Sequence, residues 1–333
     1  MSGMTLLEYL RSRTQVDLDT FDIEAARELK DCIDCTSNQF EYFNELSKGG
    51  RKDVLEKAIK LAQKEHGNFA SVTMEELAVE AAAVYMAIEI RPFVKGDIHV
   101  MANPWYAYSK EKIIAIGRRF HELFALLDAG FDRTRLVMKV PATWEGLQAC
   151  RELRDHGIKT LGTTLFTMEQ AVLAGEVGCV SISPFIHELK ALFDESYRDG
   201  ATLLDLCVRA QRWYDQNYLP TKVKACANIG VDEIIQLAGV AAFTIVPDDL
   251  RLLDSTRRGE SEIHSASLFN QQLTDAQKMD YTSYIDEESK YRMDFAHADD
   301  GSAQLKLGQA IQIFCDFQVK AEGIVRAAMQ GDS

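Results

Sequence analysis

Leu136 to Gly146 reads LVMKVPATWEG, and the chain is organised around this stretch. A single lysine, Lys139, stands in an apolar, β-prone run, after which Pro141 and the Thr-Trp-Glu-Gly sequence open the next segment. In a barrel strand, side chains alternate between faces, so Leu136, Met138 and Val140 point one way and Val137, Lys139 and Pro141 the other. The lysine then points inward. An ammonium among apolar neighbours loses hydration, which lowers its pKa from a reference near ~10.4 and frees amine for attack on a carbonyl. The competing reading is a lysine whose stem covers apolar surface while its head reaches water. The strand alone does not separate the two.

The 333 residues carry a net charge of -14 and are 47% hydrophobic, enough apolar material for a full core. α/β barrels of this size are routinely one domain, so the expectation is one domain over residues 1–333. No Lys/Arg run with interleaved aromatics is present, which argues against nucleic acid as a partner. No apolar run approaches ~18 residues and no signal-like N-terminus is seen, so no membrane association and a cytoplasmic location are expected. Seven cysteines, an odd number scattered through segments that read as buried, suggest reduced thiols. Cys32 and Cys35 spell CxxC but face opposite sides in a strand, so a structural role is expected.

In chain order, Met4 to Ser12 has helical spacing and a Thr suited to capping. Gln15 to Thr20 alternates, with Val16 and Leu18 on one face and Asp17 and Asp19 on the other; the alternative is a solvated edge strand. Helices are predicted over 24–29, 51–66, 74–90, 110–129, 143–155, 168–178 and 231–238, and strands over 32–36, 159–166, 179–183 and 242–246, with the seventh strand leading into VKACANIG (223–230). From Gly96 another strand places Asp97, His99, Met101 and Asn103 on one face. Residues 251–300 read as a polar excursion with short helices, and 303–328 as a last amphipathic helix. Eight strands alternating with helices imply an α/β fold, a (β/α)8 TIM barrel with extra N- and C-terminal helices and its site at the C-terminal face.

KVPATWEG (139–146), GIKTLGTTLF (157–166) and SISPF (181–185), preceded by DTFDI (19–23) and DCTSN (34–38), resemble the successive strand motifs of the transaldolase family, in order and spacing from about Leu6 to the last helix. The resemblance implies that Lys139 is the Schiff-base lysine, Asp19 the acid/base, and Thr163 the residue that positions a catalytic water. It further implies that Asn38 and Ser183 hold donor hydroxyls, that Phe185 lines the site, and that no metal or organic cofactor is required beyond the covalent Schiff base. Small-molecule carbonyl compounds are the implied partners, and the resemblance allows for a homodimer.

Several positions depart from the family pattern. Met101 stands where transaldolases have a glutamate that shuttles protons through a water, and a thioether cannot take that role. His99, two residues earlier on the same face, is the expected replacement, since imidazole titrates near neutral pH, against a purely structural, hydrogen-bonded role. Leu161 replaces an asparagine. The two arginines expected to hold phosphate fall on Glu188 and Ala227, and a serine becomes Ala225. His187 offers a weak positive charge, and Lys222 or Lys224 reaches in only if the strand register differs from this alignment. The expected function is therefore Schiff-base (retro-)aldol chemistry on a non-phosphorylated or unusual substrate. The alternatives are an ordinary transaldolase moving a dihydroxyacetone unit between sugar phosphates, and a non-catalytic barrel that binds a ligand or partner.

Overall fold

In the computed structural model, which describes residues 4–69, 71–270 and 281–331, eight strands close into a barrel in chain order, each parallel to its neighbours. They are β1 (Gln15–Asp19), β2 (Cys35–Thr36), β3 (Ile98–Met101), β4 (Leu136–Pro141), β5 (Lys159–Leu165), β6 (Ser181–Pro184), β7 (Lys222–Ala225) and β8 (Ala242–Ile245). β1 closes the ring on β8 with Gln15 beside Ala242 and Leu18 beside Ile245. An apolar layer lies between sheet and helices: strand residues such as Val16, Leu18, Ile98, Val100, Met138 and Val140 are buried beneath the surrounding helices.

The helices are α1 (Leu6–Arg11), α2 (Ile23–Glu28), α3 (Gln39–Ser47), α4 (Lys52–Glu65), α5 (Met74–Ile90), α6 (Lys110–Leu127), α7 (Trp144–Asp155) and α8 (Met168–Glu176). After β6 come α9 (Lys190–Phe193) and α10 (Leu204–Gln216), then α11 (Val231–Gln236), α12 (Pro247–Ser255), α13 (Glu260–Ala266), α14 (Glu288–His297) and α15 (Ser302–Gln330). α1 begins with a reciprocal cap between Thr5 and Glu8, the device that satisfies two otherwise unpaired amides. Pro247 ends β8 and opens α12, since its fixed φ suits the first turn of a helix. The long α15 lies against α3 and α5.

Differences from the predicted elements are local. β2 is two residues long rather than five. α3, α9 and α10 were not expected; α3 starts at the capping residue Asn38, directly after β2. The excursion at 251–300 holds the end of α12 and all of α13 and α14, and residues 271–280 of it lie outside the described residues.

Gly146 explains why the lysine strand is followed by Thr-Trp-Glu-Gly. A Cβ built on it would lie 2.2 Å from the carbonyl oxygen of Pro141, so only glycine lets the first turn of α7 fold back on the end of β4. Thr143 locks the same corner: its hydroxyl accepts from the Gly146 amide at 2.9 Å and donates to the Ala107 carbonyl at 2.5 Å.

The deep interior of the barrel is charged rather than apolar. Lys224 on β7 donates to Asp17 on β1 at 2.5 Å and to Asp34, just before β2. Gln15 donates to Asp17 at 2.8 Å and to Asp34 at 3.2 Å, and the Asp34 side chain accepts the Asp97 amide at 2.7 Å. Burial of three charges is tolerated only with this degree of mutual pairing. The seven cysteines are free and buried, and burial pushes the Cys32 thiol up to about 11, so neither member of the CxxC pair is a thiolate at neutral pH. No helix among the described residues is long and apolar enough to cross a membrane.

Candidate active site

Above the charged layer, at the C-terminal ends of the strands, lies a cavity of about 260 Å³ lined by Asp19, Asn38, Glu41, Lys139, Phe185, Cys226, Ala227, Asn228 and Thr244 below, and by Phe40, Leu189, Leu192, Phe193, Val246 and Phe314 around its mouth. The alternation in β4 turns Lys139 into it, with only 6% of the residue exposed. The Lys139 ammonium donates to the Thr36 hydroxyl at 3.2 Å, and that hydroxyl donates to Asp19 at 3.3 Å. Three strands thus contribute one chain of polar atoms: amine, hydroxyl, carboxylate. Burial pushes the Asp19 carboxyl above its usual range, against the pull of Lys139, Thr36 and His99.

A second carboxyl shares the cavity. Glu41, in the first turn of α3, accepts from the Thr20 hydroxyl at 3.0 Å. Burial, followed by the neighbouring charge of Asp19, raises it to about 8, the Thr20 bond pulling the other way. Glu41 is therefore largely protonated at neutral pH while sitting beside a carboxylate.

Of the residues singled out in the sequence, Lys139, Asp19, Asn38, Phe185 and Ala227 line this cavity together. Asn38 spends its side-chain oxygen on capping α3, accepting the amides of Phe40 and Glu41 at 2.9 and 3.3 Å, which leaves its amide hydrogens for a ligand. Thr163 is fully buried at the end of β5 and its hydroxyl has no protein partner. Its neighbour Thr164 adopts φ +53°, where β5 and β6 lose register. Ser183 is buried on β6 and is not among the residues that line the cavity. Met101 pairs in register with Lys139 and is packed in the core.

His99 lies one step deeper, in register with Val137, and does not line the cavity. Its Nε2 is 3.6 Å from Asp34, an electrostatic contact too long for a hydrogen bond. Burial lowers its pKa, against the pull of Asp34, so the ring is neutral at neutral pH. Lys224 also belongs to this deeper layer and does not reach the cavity.

The positions where phosphate would need cations are otherwise engaged. His187 faces Asp199 at 2.8 Å through Nδ1 and Glu233 at 2.6 Å through Nε2. Burial pulls its pKa down, but these two carboxylates hold it above the usual imidazole value, so its charge is already matched. Glu188 accepts from the Tyr197 hydroxyl at 2.6 Å and the Gln309 amide at 3.0 Å. Ala227 presents only a methyl group from a left-handed backbone, φ +62°.

Thr36 and Glu41 are site residues that the sequence reading does not single out. Parity alone points to Thr36, which shares a face with Asp34 and Asn38 on alternate positions. For Glu41 the signal is Asn38 followed three residues later by Glu, a helix-start pattern, although here the glutamate bonds Thr20 instead of closing the cap. Among the described residues no group of three or more His, Cys, Asp or Glu side chains is arranged to hold a metal ion.

A parallel (β/α)8 barrel whose site gathers at the C-terminal strand ends is an enzyme architecture that carries many chemistries, and a buried lysine beside carboxyls is the equipment of the class that condenses an amine with a carbonyl. Comparison with known proteins makes the assignment specific. The Transaldolase/Fructose-6-phosphate aldolase family model matches residues 16–322. A protein named transaldolase from Shewanella sp. (strain W3-18-1) is 30% identical over 331 residues, 97% of this chain and 98% of its own. Another so named, from Haemophilus ducreyi, is 29% identical over 335 residues, covering 98% of this chain and all of its own. A third, from Prochlorococcus marinus, is 27% identical over 259 residues, 76% of each chain. The chain belongs to the transaldolase/fructose-6-phosphate aldolase family and is an enzyme of that type.

Proposed function

We propose that the enzyme makes or breaks a carbon–carbon bond through a Schiff base on Lys139, and that its substrate is not a sugar phosphate. The observation that carries this reading is the composition of the cavity: Lys139 at its floor is joined through Thr36 to Asp19, and the basic side chain among its described lining residues is Lys139 itself.

The unprotonated Lys139 amine attacks a ketone carbon, and the carbonyl oxygen takes a proton to give a carbinolamine. Loss of that oxygen as water leaves an iminium, which withdraws electrons from the adjacent carbon. Asp19 takes the proton from the hydroxyl on the carbon to be released, the carbon–carbon bond breaks, an aldehyde departs, and the electron pair remains as an enamine. The enamine then adds to a second aldehyde, Asp19 returning the proton to the new alkoxide, or is itself protonated; water finally hydrolyses the iminium and regenerates the amine. Thr163, with its unpartnered buried hydroxyl, is suited to hold that water. The amide of Asn38 donates to a substrate hydroxyl, and the hydroxyl of Ser183, near the end of β6, is assigned to a second one.

Met101 supplies no proton. Glu41, protonated and beside Asp19 in the cavity, is better placed for that role than His99, which reaches the site only through the deeper layer. Sodium borohydride with a small hydroxyketone is expected to fix adduct mass on Lys139, and Lys139→Ala to remove it. An adduct of equal yield on the variant refutes the assignment.

The full-length similarity to proteins named transaldolase favours a second reading, the ordinary transfer of a dihydroxyacetone unit between sugar phosphates. Assay of fructose 6-phosphate with erythrose 4-phosphate separates the two. Turnover at the rates usual for enzymes, roughly 1–10³ per second, would decide for the second.

A further inference from the structure

The mouth of the cavity is built from large apolar side chains supplied by three separate elements. Phe40 comes from the first turn of α3, Leu192 and Phe193 from α9, and Phe314 from α15, with Leu189 just ahead of α9. Their rings are mutually organised: Phe40 and Phe193 have centroids 5.2 Å apart and meet edge to face, and each lies 5.1 Å from Phe317 on α15. Phe185 on the inner wall stands edge-on to Phe314 at 6.5 Å. Yet Leu192 and Phe193 remain 40% and 42% exposed, so the wall is fixed in place while part of it still faces water. Apolar surface left wet at the rim of a reactive cavity gains by being covered.

Charge points the same way. Asp19 and Glu41 are the acidic members of the described lining and Lys139 the basic one. A dianionic phosphate at the mouth would lose hydration against phenyl rings, and the cations of the adjoining pocket, Lys48 and Arg251, are already paired with Asp22 and Glu45 and with Glu28 and Asp248. Of the charged residues flanking that rim in sequence, Lys190 faces Asp194 at 3.8 Å, His187 is tied to Asp199 and Glu233, and Glu188 to Tyr197 and Gln309.

We propose that this rim is a substrate subsite, and that the enzyme acts on a small carbonyl compound whose end remote from the reacting carbon is an uncharged apolar group, a single aromatic ring or a branched alkyl chain. The inference rests on the assignment of Lys139 as the carbonyl-binding lysine. At about 260 Å³ the cavity lies just below the usual range for ligand pockets, about 300–1,000 Å³, so the substrate is a short chain bearing one such group. The flat rings of Phe40, Phe193 and Phe314 suit the edge-to-face contacts that aromatic pairs favour.

Two measurements on the full chain test the subsite and the lysine separately. In calorimetry, 4-phenylbutane-1,2-diol, which has no carbonyl to condense, reads the subsite alone and is expected to bind at least tenfold more tightly than glycerol 3-phosphate. In borohydride trapping, 1-hydroxy-4-phenylbutan-2-one is expected to label Lys139 at a concentration at least tenfold below that needed with dihydroxyacetone. Phe193→Ala should shrink that ratio at least fivefold, and Leu192→Arg should shrink it further. Equal or tighter binding of glycerol 3-phosphate, or a ratio unchanged by both substitutions, overturns the apolar subsite. Binding of the diol with no trapping by any ketone instead overturns the role of Lys139 and leaves the subsite standing.

Discussion

Glu41 keeps a proton that a solvated glutamic acid gives up near pH ~4.3. Its folded pKa of about 8 lies above that of the unfolded chain, so between the two values the folded state binds more protons. Stability is then fully present below the unfolded pKa and falls as pH rises towards 8. Glu41→Gln keeps the shape and the bond from Thr20 but cannot ionise. In urea unfolding the variant is expected to match the parent within about 0.5 kcal/mol at about pH 4 and to exceed it by up to a few kcal/mol at about pH 8.5. A difference that does not change with pH would show that the carboxyl is not held protonated. If Glu41 supplies the proton that Met101 cannot, the same variant loses roughly 10²-fold in turnover while borohydride still labels Lys139.

At the scale of the element, α3 ties the cavity to the helix layer. The oxygen of Asn38 caps it, Phe40 supplies the rim, and Glu41 faces Asp19. Asn38→Ala removes the cap and is expected to cost about 1 kcal/mol. Asn38→Asp keeps a capping oxygen and loses the amide donor, so its stability should change little while KM for a hydroxyketone rises. Equal KM in Asn38→Asp and the parent would mean that the amide touches no substrate. The orientation of Lys139 and Asp19 was legible in the sequence because strand parity is local: each residue's face follows from its immediate neighbours. α3 was not, because β2 is only two residues long and its end is defined by contacts across the barrel. The ties of His187 to Asp199 and Glu233, 12 and 46 residues away, lie beyond any local pattern. So does the depth of His99: parity gives its face, whereas its level beneath the cavity depends on the register with Val137.

At the scale of the whole molecule, the barrel is held at its centre by Lys224 between Asp17 and Asp34, and this charged layer is the floor on which the cavity rests. Burial pulls the Lys224 ammonium down, but the two carboxylates together keep it above the usual lysine value. Burial likewise pushes Asp34 up, yet the N–H dipole of the neighbouring His99 ring and the Lys224 ammonium hold it well below the usual carboxylate range. Lys224→Met preserves much of the volume and removes the charge, leaving two carboxyls facing one another in the interior. Breaking a buried pair in this way costs about 3–5 kcal/mol. The sign of the pH dependence follows from the same geometry. Without the ammonium, one of the two carboxyls is pushed up until it holds a proton, so the deficit is largest at pH 7–8 and shrinks as the pH falls towards 5. Adding Asp17→Asn to Lys224→Met removes one of the opposed charges and should recover part of the loss at pH 7.5 in urea unfolding. A single variant as stable as the parent at that pH would mean that the layer is hydrated and that Lys224 does not bind β1, β2 and β7 together.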